Sequence, residues 1–535
     1  PQFRSVRDMI EFSVREFADR PAYTNMGTTM TFADLDRLSM EFAGYLQKDL
    51  KLMKGERVAI MLPNVLQYPV VLCGIFRAGL VAVNVNPLYT ARELKHQLAD
   101  SGAKCIVILE NFAHILAEVI GDTKVQHVVT TGVGDLLRWP KGPIVNFALK
   151  HLKKAVPAYS LPGSVGMRKA LKAGRGKALD VVELGFADIA FLQYTGGTTG
   201  LSKGAMLSHR NMVFNVHQGK AWQGGAFGGL DRIIAITALP LYHIFSLQSN
   251  CLSIMLQGGE NILITNPRDM AGFVNELGKH RFNYFTGVNT LFAGLLNTPG
   301  FADLDFSSLR LTIGGGMAVQ EAVSNRWKEA TGHPIIQGYG LTETSPSAIV
   351  VPIDADTFDG STGLPLPSTD VRICDDNGKE VPLGEVGEIC IKGPQVMEGY
   401  WQNQEETDKV MLPGGWFRTG DIGRMDERGY VFIEDRKKDM ILVSGFNVYP
   451  NEIESVVVSM DGVLEAAAIG KPDEKSGEVV KLFVVRKNPS LTEAEVLAYC
   501  KKNLTGYKVP KEIEFRDELP KTNVGKILRR ALRDE

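Results

Sequence analysis

Short apolar runs separated by amphipathic stretches dominate the first 350 positions. The runs at 57–63, 81–85, Cys105–Leu109 and 127–130 read as buried strands, with helices through Arg77, over 91–101 and near 112–120. Residues 5–50 read as two amphipathic helices around one short strand at 29–32. After an interruption, the alternation resumes with strands at 189–193, 233–236, 261–264, 284–288 and 311–313. Strands alternating with helices predict an α/β fold: parallel, doubly wound sheets with helices on both faces. In such sheets ligands collect beyond the carboxyl ends of strands, which puts His243, Asn289, Gly314-Gly315-Gly316 and 338–343 around one pocket.

From 360 to 434 the pattern turns β-rich, with hairpin signals at Asp375-Asp376-Asn377-Gly378, Pro382-Leu383-Gly384 and Asp426-Glu427-Arg428-Gly429. A charged run at 435–439 then precedes the apolar 440–443, and the domain boundary is placed there. The division is a large domain over 1–436, a connection at 437–440 and a small α+β unit over 441–535. In the small unit strands are expected near 463–469, 479–486 and 512–516, and helices near 450–459, 492–504 and 526–534.

A chain of 535 residues exceeds one ordinary core, in keeping with that division. Its apolar share of 44% and charged share of 22% are those of a globular protein. A net charge of −2 gives no general attraction to nucleic acid. Six scattered cysteines without a Cys-x-x-Cys pair suit a reducing compartment and argue against structural zinc, so a cytoplasmic location is expected. The longest apolar stretch, 65–85, contains Gln67, Arg77 and two glycines; it predicts a buried helix and strand rather than a membrane span.

One tract departs from this balance. Between Asp135 and Asp180 there are ten Lys and Arg and no acidic residue. Within it, positions 144, 145, 148, 149, 152 and 156 form one apolar helical face, with Lys150, Lys153 and Lys154 at the far end. Such a helix either packs its apolar face on the domain or lies in an anionic membrane surface, which makes 143–177 a candidate for peripheral contact with the inner face of the cell membrane.

The densest chemical signal is Tyr194-Thr195-Gly196-Gly197-Thr198-Thr199-Gly200-Leu201-Ser202-Lys203-Gly204, directly after a predicted strand. Glycines let backbone N–H groups converge on an anion, threonine hydroxyls add donors, and Lys203 adds a point charge. This is a phosphate cradle. It is not the phosphate loop of the common nucleotide hydrolases, because Gly204 follows Lys203 where Ser or Thr would stand.

Four further segments accompany the cradle: Gln337-Gly338-Tyr339-Gly340-Leu341-Thr342-Glu343-Thr344, Trp416-Phe417-Arg418-Thr419-Gly420-Asp421, Asp435-Arg436-Lys437-Lys438-Asp439 and Pro520-Lys521-Thr522-Asn523-Val524-Gly525-Lys526. In this order and spacing they resemble the core motifs of the adenylate-forming superfamily of acyl-CoA synthetases, luciferases and peptide-synthetase adenylation domains. Within it the chain resembles most the bacterial long-chain fatty acid–CoA ligases, through 415–423, 434–438, 64–89 and 436–454.

The resemblance implies a two-step reaction: a fatty acid carboxylate and ATP give acyl-AMP and pyrophosphate, and CoA then displaces AMP. ATP, CoA and fatty acid are the implied partners and Mg²⁺ the cofactor, with a homodimer among the candidate assemblies. It assigns ATP or AMP contacts to Thr195, Gly196, Gly197, Thr198, Thr199, Gly200, Lys203, Gly315, Gly338, Tyr339, Gly340, Thr342, Asp421 and Arg436. In that assignment Tyr339 lies against adenine, Asp421 takes the ribose hydroxyls, and Glu343 with Thr198 holds Mg²⁺. Lys526 bridges the attacking carboxylate and the phosphate, and His243 orients the carboxylate. Tyr242, His243, Gly287, Val288, Asn289, Gly314 and Gly316 line the acyl site, with Gly287 and Gly314 leaving room for the chain. Lys438 is the hinge, making the small domain a mobile lid, and Gly445 lies along the CoA arm. A medium-chain or aryl-CoA ligase and a fatty acyl-AMP ligase share these motifs; dependence on CoA separates the last of them. A lipid-binding protein with an inactive nucleotide site is disfavoured, since every motif side chain is present.

Overall fold

The computed structural model describes residues 2–195, 202–473, 475–522 and 525–534. Its centre is the apolar stretch at 65–85. Every residue of the helix Gln67–Arg77 is buried, and this helix joins the two largest sheets. On one side Phe76 packs edge-on against Phe191, with ring centroids 5.2 Å apart. On the other, Tyr68 donates its hydroxyl to the Leu241 carbonyl at 2.8 Å. Asn64, just before the helix, donates to the Thr237 and Leu239 carbonyls. The charge on Arg77 is satisfied inside by Glu11 at 2.9 Å and Asp36 at 2.6 Å. Unpaired, it would be costly at this depth.

The first sheet has seven strands in the order Val165–Gly166, His127–Thr131, Cys105–Leu109, Arg57–Met61, Val81–Asn84, Ile189–Thr195 and Lys203–Ser208. All its pairs are parallel except the last. The second has nine strands. Its parallel centre runs Ile335–Gly340, Leu311–Gly314, Tyr284–Gly287, Ile234–Thr237, Glu260–Leu263 and Pro21–Asn25, with antiparallel strands at both edges. A third, antiparallel sheet carries Trp416–Met425 beside Val431–Arg436. The fourth takes all its strands from residues 441–516 and, with the helices Pro450–Val458 and Glu493–Asn503, has its own apolar core. The architecture is therefore a mixed α/β fold with a large N-terminal and a small C-terminal domain.

Three segments differ from the sequence reading. Residues 5–50 hold a hairpin, Pro21–Asn25 with Thr28–Thr31, and not a lone strand. Its turn has both Met26 and Gly27 at positive φ, 47° and 71°. Methionine is a rare choice there, so the turn carries no usual signature. The last helix spans only Arg529–Arg533. The chain before it doubles back, with Thr522 donating to the Lys526 carbonyl and Lys521 bridged to Ile527. Lys526 thus sits on a loop.

The third difference is the basic tract. Its apolar helical face is split: Val145 and Leu149 pack on the main core, while Ile144 and Leu152 are 60% and 72% exposed, as is Phe147 outside that face at 58%. Trp139 beside them is 85% exposed. Among the described residues no helix is long and apolar enough to cross a membrane.

Candidate active site

A cavity of about 1330 Å³ opens where the carboxyl ends of the strands of both large sheets face the third sheet and the small domain. It is larger than the ~300–1000 Å³ usual for one drug-sized ligand. Sixteen of the predicted residues line it: Thr195, Lys203, Tyr242, His243, Val288, Gly315, Gly316, Gly338, Tyr339, Gly340, Thr342, Glu343, Asp421, Arg436, Lys438 and Lys526. They come from positions as far apart as 195 and 526, gathered by the strand ends as the topology predicts. Gly196, Gly197, Thr198, Thr199 and Gly200 lie outside the described residues.

One wall is a polar corner. Asp421 and Arg436 are cross-strand neighbours in the third sheet. Asp421 is buried, accepts the Tyr339 hydroxyl at 2.7 Å and has the Arg436 guanidinium 3.5 Å away. The remaining acceptor capacity of this carboxylate suits a pair of hydroxyls.

A second wall is built around Tyr400. Its hydroxyl donates to Glu343 at 2.8 Å, and the Lys203 ammonium lies 4.6 Å above its ring. Lys203 is also ion-paired with Glu406, on the helix Gln404–Val410. The Lys203 and Lys409 partners pull the Glu406 carboxyl down to about 2. Burial raises the Glu343 carboxyl, which accepts the Tyr400 hydroxyl and faces the cavity. A divalent cation would relieve that desolvated carboxylate. Among the described residues no cluster of three His, Cys, Asp or Glu forms a protein cage. One hard oxygen with the rest from phosphate and water fits Mg²⁺.

Opposite lie His243 and Lys526. The Phe245 N–H donates to His243 Nδ1 at 3.3 Å, so the neutral ring carries its proton on Nε2. Burial, then the nearby Lys526 charge, lower His243 to about 4. The ring is therefore neutral near pH 7 and offers one donor. Burial, then Arg436, push Lys526 down to about 7, and the same two causes bring Lys438 to about 8. The Lys526 loop is docked on the large domain, with Thr290 donating its hydroxyl to the Gly525 carbonyl at 2.9 Å. Gly525 has φ +82°, and a Cβ there would stand 2.6 Å from the Thr290 hydroxyl, so this approach requires glycine.

Beyond Gly315 an apolar arm of the cavity passes Ile313, Ile336 and Val350 to Tyr284, Ile353 and Trp222. Three predicted acyl-site residues, Gly287, Asn289 and Gly314, do not line the cavity. A Cβ on Gly287 would strike the Phe292 ring at 2.7 Å, and one on Gly314 would strike Ile335 and Val319 at 2.7 and 2.8 Å. Both glycines therefore make room for core packing behind the strands, not for the chain. Asn289 exchanges hydrogen bonds with Gln320. Gly445 is also away from the cavity, exposed at φ +84° in a turn of the small domain with open space around its Cβ direction.

Sequence reasoning missed Tyr400, Glu406 and Trp222. Gly399-Tyr400-Trp401 is an aromatic pair after a glycine in turn-rich chain, the one local sign available. Glu406 and Trp222 sit in ordinary helical patterns and become site residues only through contacts distant in sequence.

Comparison with known proteins agrees with this geometry. The model of the AMP-binding enzymes matches residues 10–401, and that of their C-terminal domain matches 452–526. The long-chain-fatty-acid–CoA ligase of Escherichia coli O6:H1 is 57% identical over 100% of this chain and 95% of its own. That of Haemophilus influenzae is 55% identical over the same shares. The crystal structure of ATP-bound MatB from Rhodopseudomonas palustris superposes with a TM-score of 0.83 at 31% identity, covering 99% of this chain and 98% of that one.

The Lys526 value has a consequence for ligand binding. At about pH 8 the free lysine is mostly neutral, and neighbouring phosphates favour its ammonium form, so its pKa rises on binding. ATP binding should take up a fraction of a proton, seen by calorimetry as a heat that depends on the buffer's ionisation enthalpy. The uptake should fall in Lys526→Ala to the smaller share contributed by Lys438; uptake of equal size in that variant would contradict the assignment. From motifs, fold and full-length similarity together, the chain belongs to the AMP-binding enzymes, the adenylate-forming superfamily, in which its relatives at over half identity include long-chain-fatty-acid–CoA ligases.

Proposed function

We propose that this protein activates long-chain fatty acids as CoA thioesters. The fatty acid carboxylate attacks the α-phosphorus of ATP, the bond to pyrophosphate breaks, and acyl-AMP forms. The CoA thiol, losing its proton, then attacks the acyl carbon, and AMP leaves. The observation that carries the reading is the single cavity in which a nucleotide corner, two desolvated lysines and an apolar arm meet.

In the first step the anionic carboxylate must approach a polyanion. His243 donates from Nε2 to the carboxylate and holds its reacting oxygen in line. Lys526, brought in by the small domain, spans carboxylate and α-phosphate and stabilises charge that develops as they meet. Asp421 and Tyr339 fix the nucleoside, while Lys203 exchanges Glu406 for phosphate. Mg²⁺, held by Glu343 and Thr198, would neutralise phosphate charge when bound. The acyl chain lies in the arm toward Trp222, where each buried methylene contributes about 0.8 kcal/mol. Rotation at 437–440, centred on Lys438, withdraws Lys526 and brings Gly445 beside the CoA arm for the second step. The large domain is 1–436 and the moving one 441–535.

Pyrophosphate release from ATP and palmitate, measured with and without CoA, tests this. Sustained release only with CoA, together with palmitoyl-CoA, is expected. Sustained release without CoA, or none with any fatty acid, would overturn it.

The split helix of the basic tract supports docking on an anionic lipid surface, where the substrate partitions. Trp139, Ile144, Phe147 and Leu152 offer apolar anchors beside Lys150, Lys153 and Lys154. Each basic residue near such a surface contributes about 1 kcal/mol, so changing these three lysines to Glu should weaken binding roughly a hundredfold or more. Flotation with phosphatidylglycerol-containing vesicles reads this directly. Equal flotation of the two proteins would contradict the docking.

A further inference from the structure

One buried ion network ties both flanks of 437–440 to the loop that carries Lys526. Its centre is Arg529, three residues beyond Lys526. The guanidinium contacts Asp435 at 2.9 Å, Glu454 at 2.7 and 2.8 Å and Asp439 at 3.5 Å, and donates to Asn451 Oδ1 at 2.5 Å. Arg533 holds Asp439 from the other side at 2.9 Å. Asp435 is 1% exposed and lies at the end of the strand Val431–Arg436, before the hinge. Asn451 and Glu454, on the helix Pro450–Val458, lie after it, as do Arg529 and Arg533.

These contacts divide by what a rotation at Lys438 would do to them. Arg529 with Glu454, Arg529 with Asn451, and both arginines with Asp439 all lie on one side and travel together. Arg529 with Asp435 crosses the hinge. So do the Asn451 N–H to Asp435 Oδ2 at 2.8 Å and the Asn451 side-chain amide to the Glu434 carbonyl at 3.1 Å. Turning the small domain must break all three and, among the described residues, would leave Asp435 with the N–H of Arg436, now at 2.7 Å.

We propose that Asp435 is the keeper of a catch, engaged by Arg529 and Asn451, that holds the small domain in the arrangement where Lys526 reaches the cavity. Asp435 touches no substrate; it is a positioning residue for Lys526. This rests on the reading of 437–440 as a hinge between two half-reactions. Of the three contacts crossing 437–440 at this junction, the two to the Asp435 carboxylate are charge-assisted, and such bonds are roughly twice as strong as neutral ones. Loss of the catch should depopulate the adenylating arrangement and favour the one used by CoA.

The test is Asp435→Asn, similar in size and still an acceptor, measured in each half-reaction. Palmitoyl-AMP formation should fall about tenfold or more in kcat with little change in KM for ATP, as misplacing a reacting group by about an ångström can cost more than this. Thioester formation from supplied palmitoyl-AMP and CoA should be unchanged or faster. Arg529→Lys, which keeps a cation near Glu454 but cannot also reach Asp435 through a separate nitrogen, should behave alike and guards against misfolding of one variant. Equal losses in both half-reactions would overturn the hinge reading beneath the proposal. Unchanged rates in both variants would overturn the catch alone.

Discussion

The structure is governed by a repulsion. A carboxylate and a triphosphate must meet at bonding distance, and two like unit charges about 4 Å apart repel by roughly 4 kcal/mol at the effective dielectric of a protein surface. The cavity meets this with cations held where water is scarce. Lys526 and Lys438 are brought to about 7 and 8 by burial and by Arg436 beside them. Without ligand, these groups are poorly solvated and mutually repelling. An anionic ligand relieves both conditions, so the strain among them becomes affinity for phosphate and carboxylate.

Where those cations come from explains the architecture. Arg436 and Lys203 belong to the large domain, while Lys526 arrives on a loop of the small one, seated against Thr290. Acid residues balance the positive charge before substrate binds: Asp421 beside Arg436, Glu406 on Lys203, Asp435 and Glu454 around Arg529. Each pairing is positioned by a different sheet or helix. The helix Gln67–Arg77, buried along its whole length, keeps the two large sheets in register, so that strand ends from both open on one cavity.

What could be read from the sequence follows from how local its cause is. The apolar run Cys105–Leu109 stands where the pattern puts it, since burial on both faces leaves a continuous apolar signature, and the helix Ala91–Ser101 does so through one buried face that includes Leu94 and Leu98. The residues Asp421, Arg436, Lys438 and Lys526 were legible because they sit in recurring motifs, and all face the cavity. Gly287 and Gly314 misled: a glycine beside a site suggests space for ligand, yet the space is filled by Phe292, Ile335 and Val319. Tyr400 and Glu406 were silent, because their partners Glu343 and Lys203 are distant in sequence. The Met26-Gly27 turn was silent because methionine seldom adopts its backbone.

The central claim is that Lys526 serves the adenylating step and leaves for the next. The direct measurement is single-turnover kinetics of Lys526→Ala, following palmitoyl-AMP formation from ATP and palmitate, and separately palmitoyl-CoA formation from supplied palmitoyl-AMP. Loss of a charge-stabilising donor predicts a fall of roughly 10²–10³-fold in the first, with the second little changed. Equal falls in both half-reactions would contradict the account.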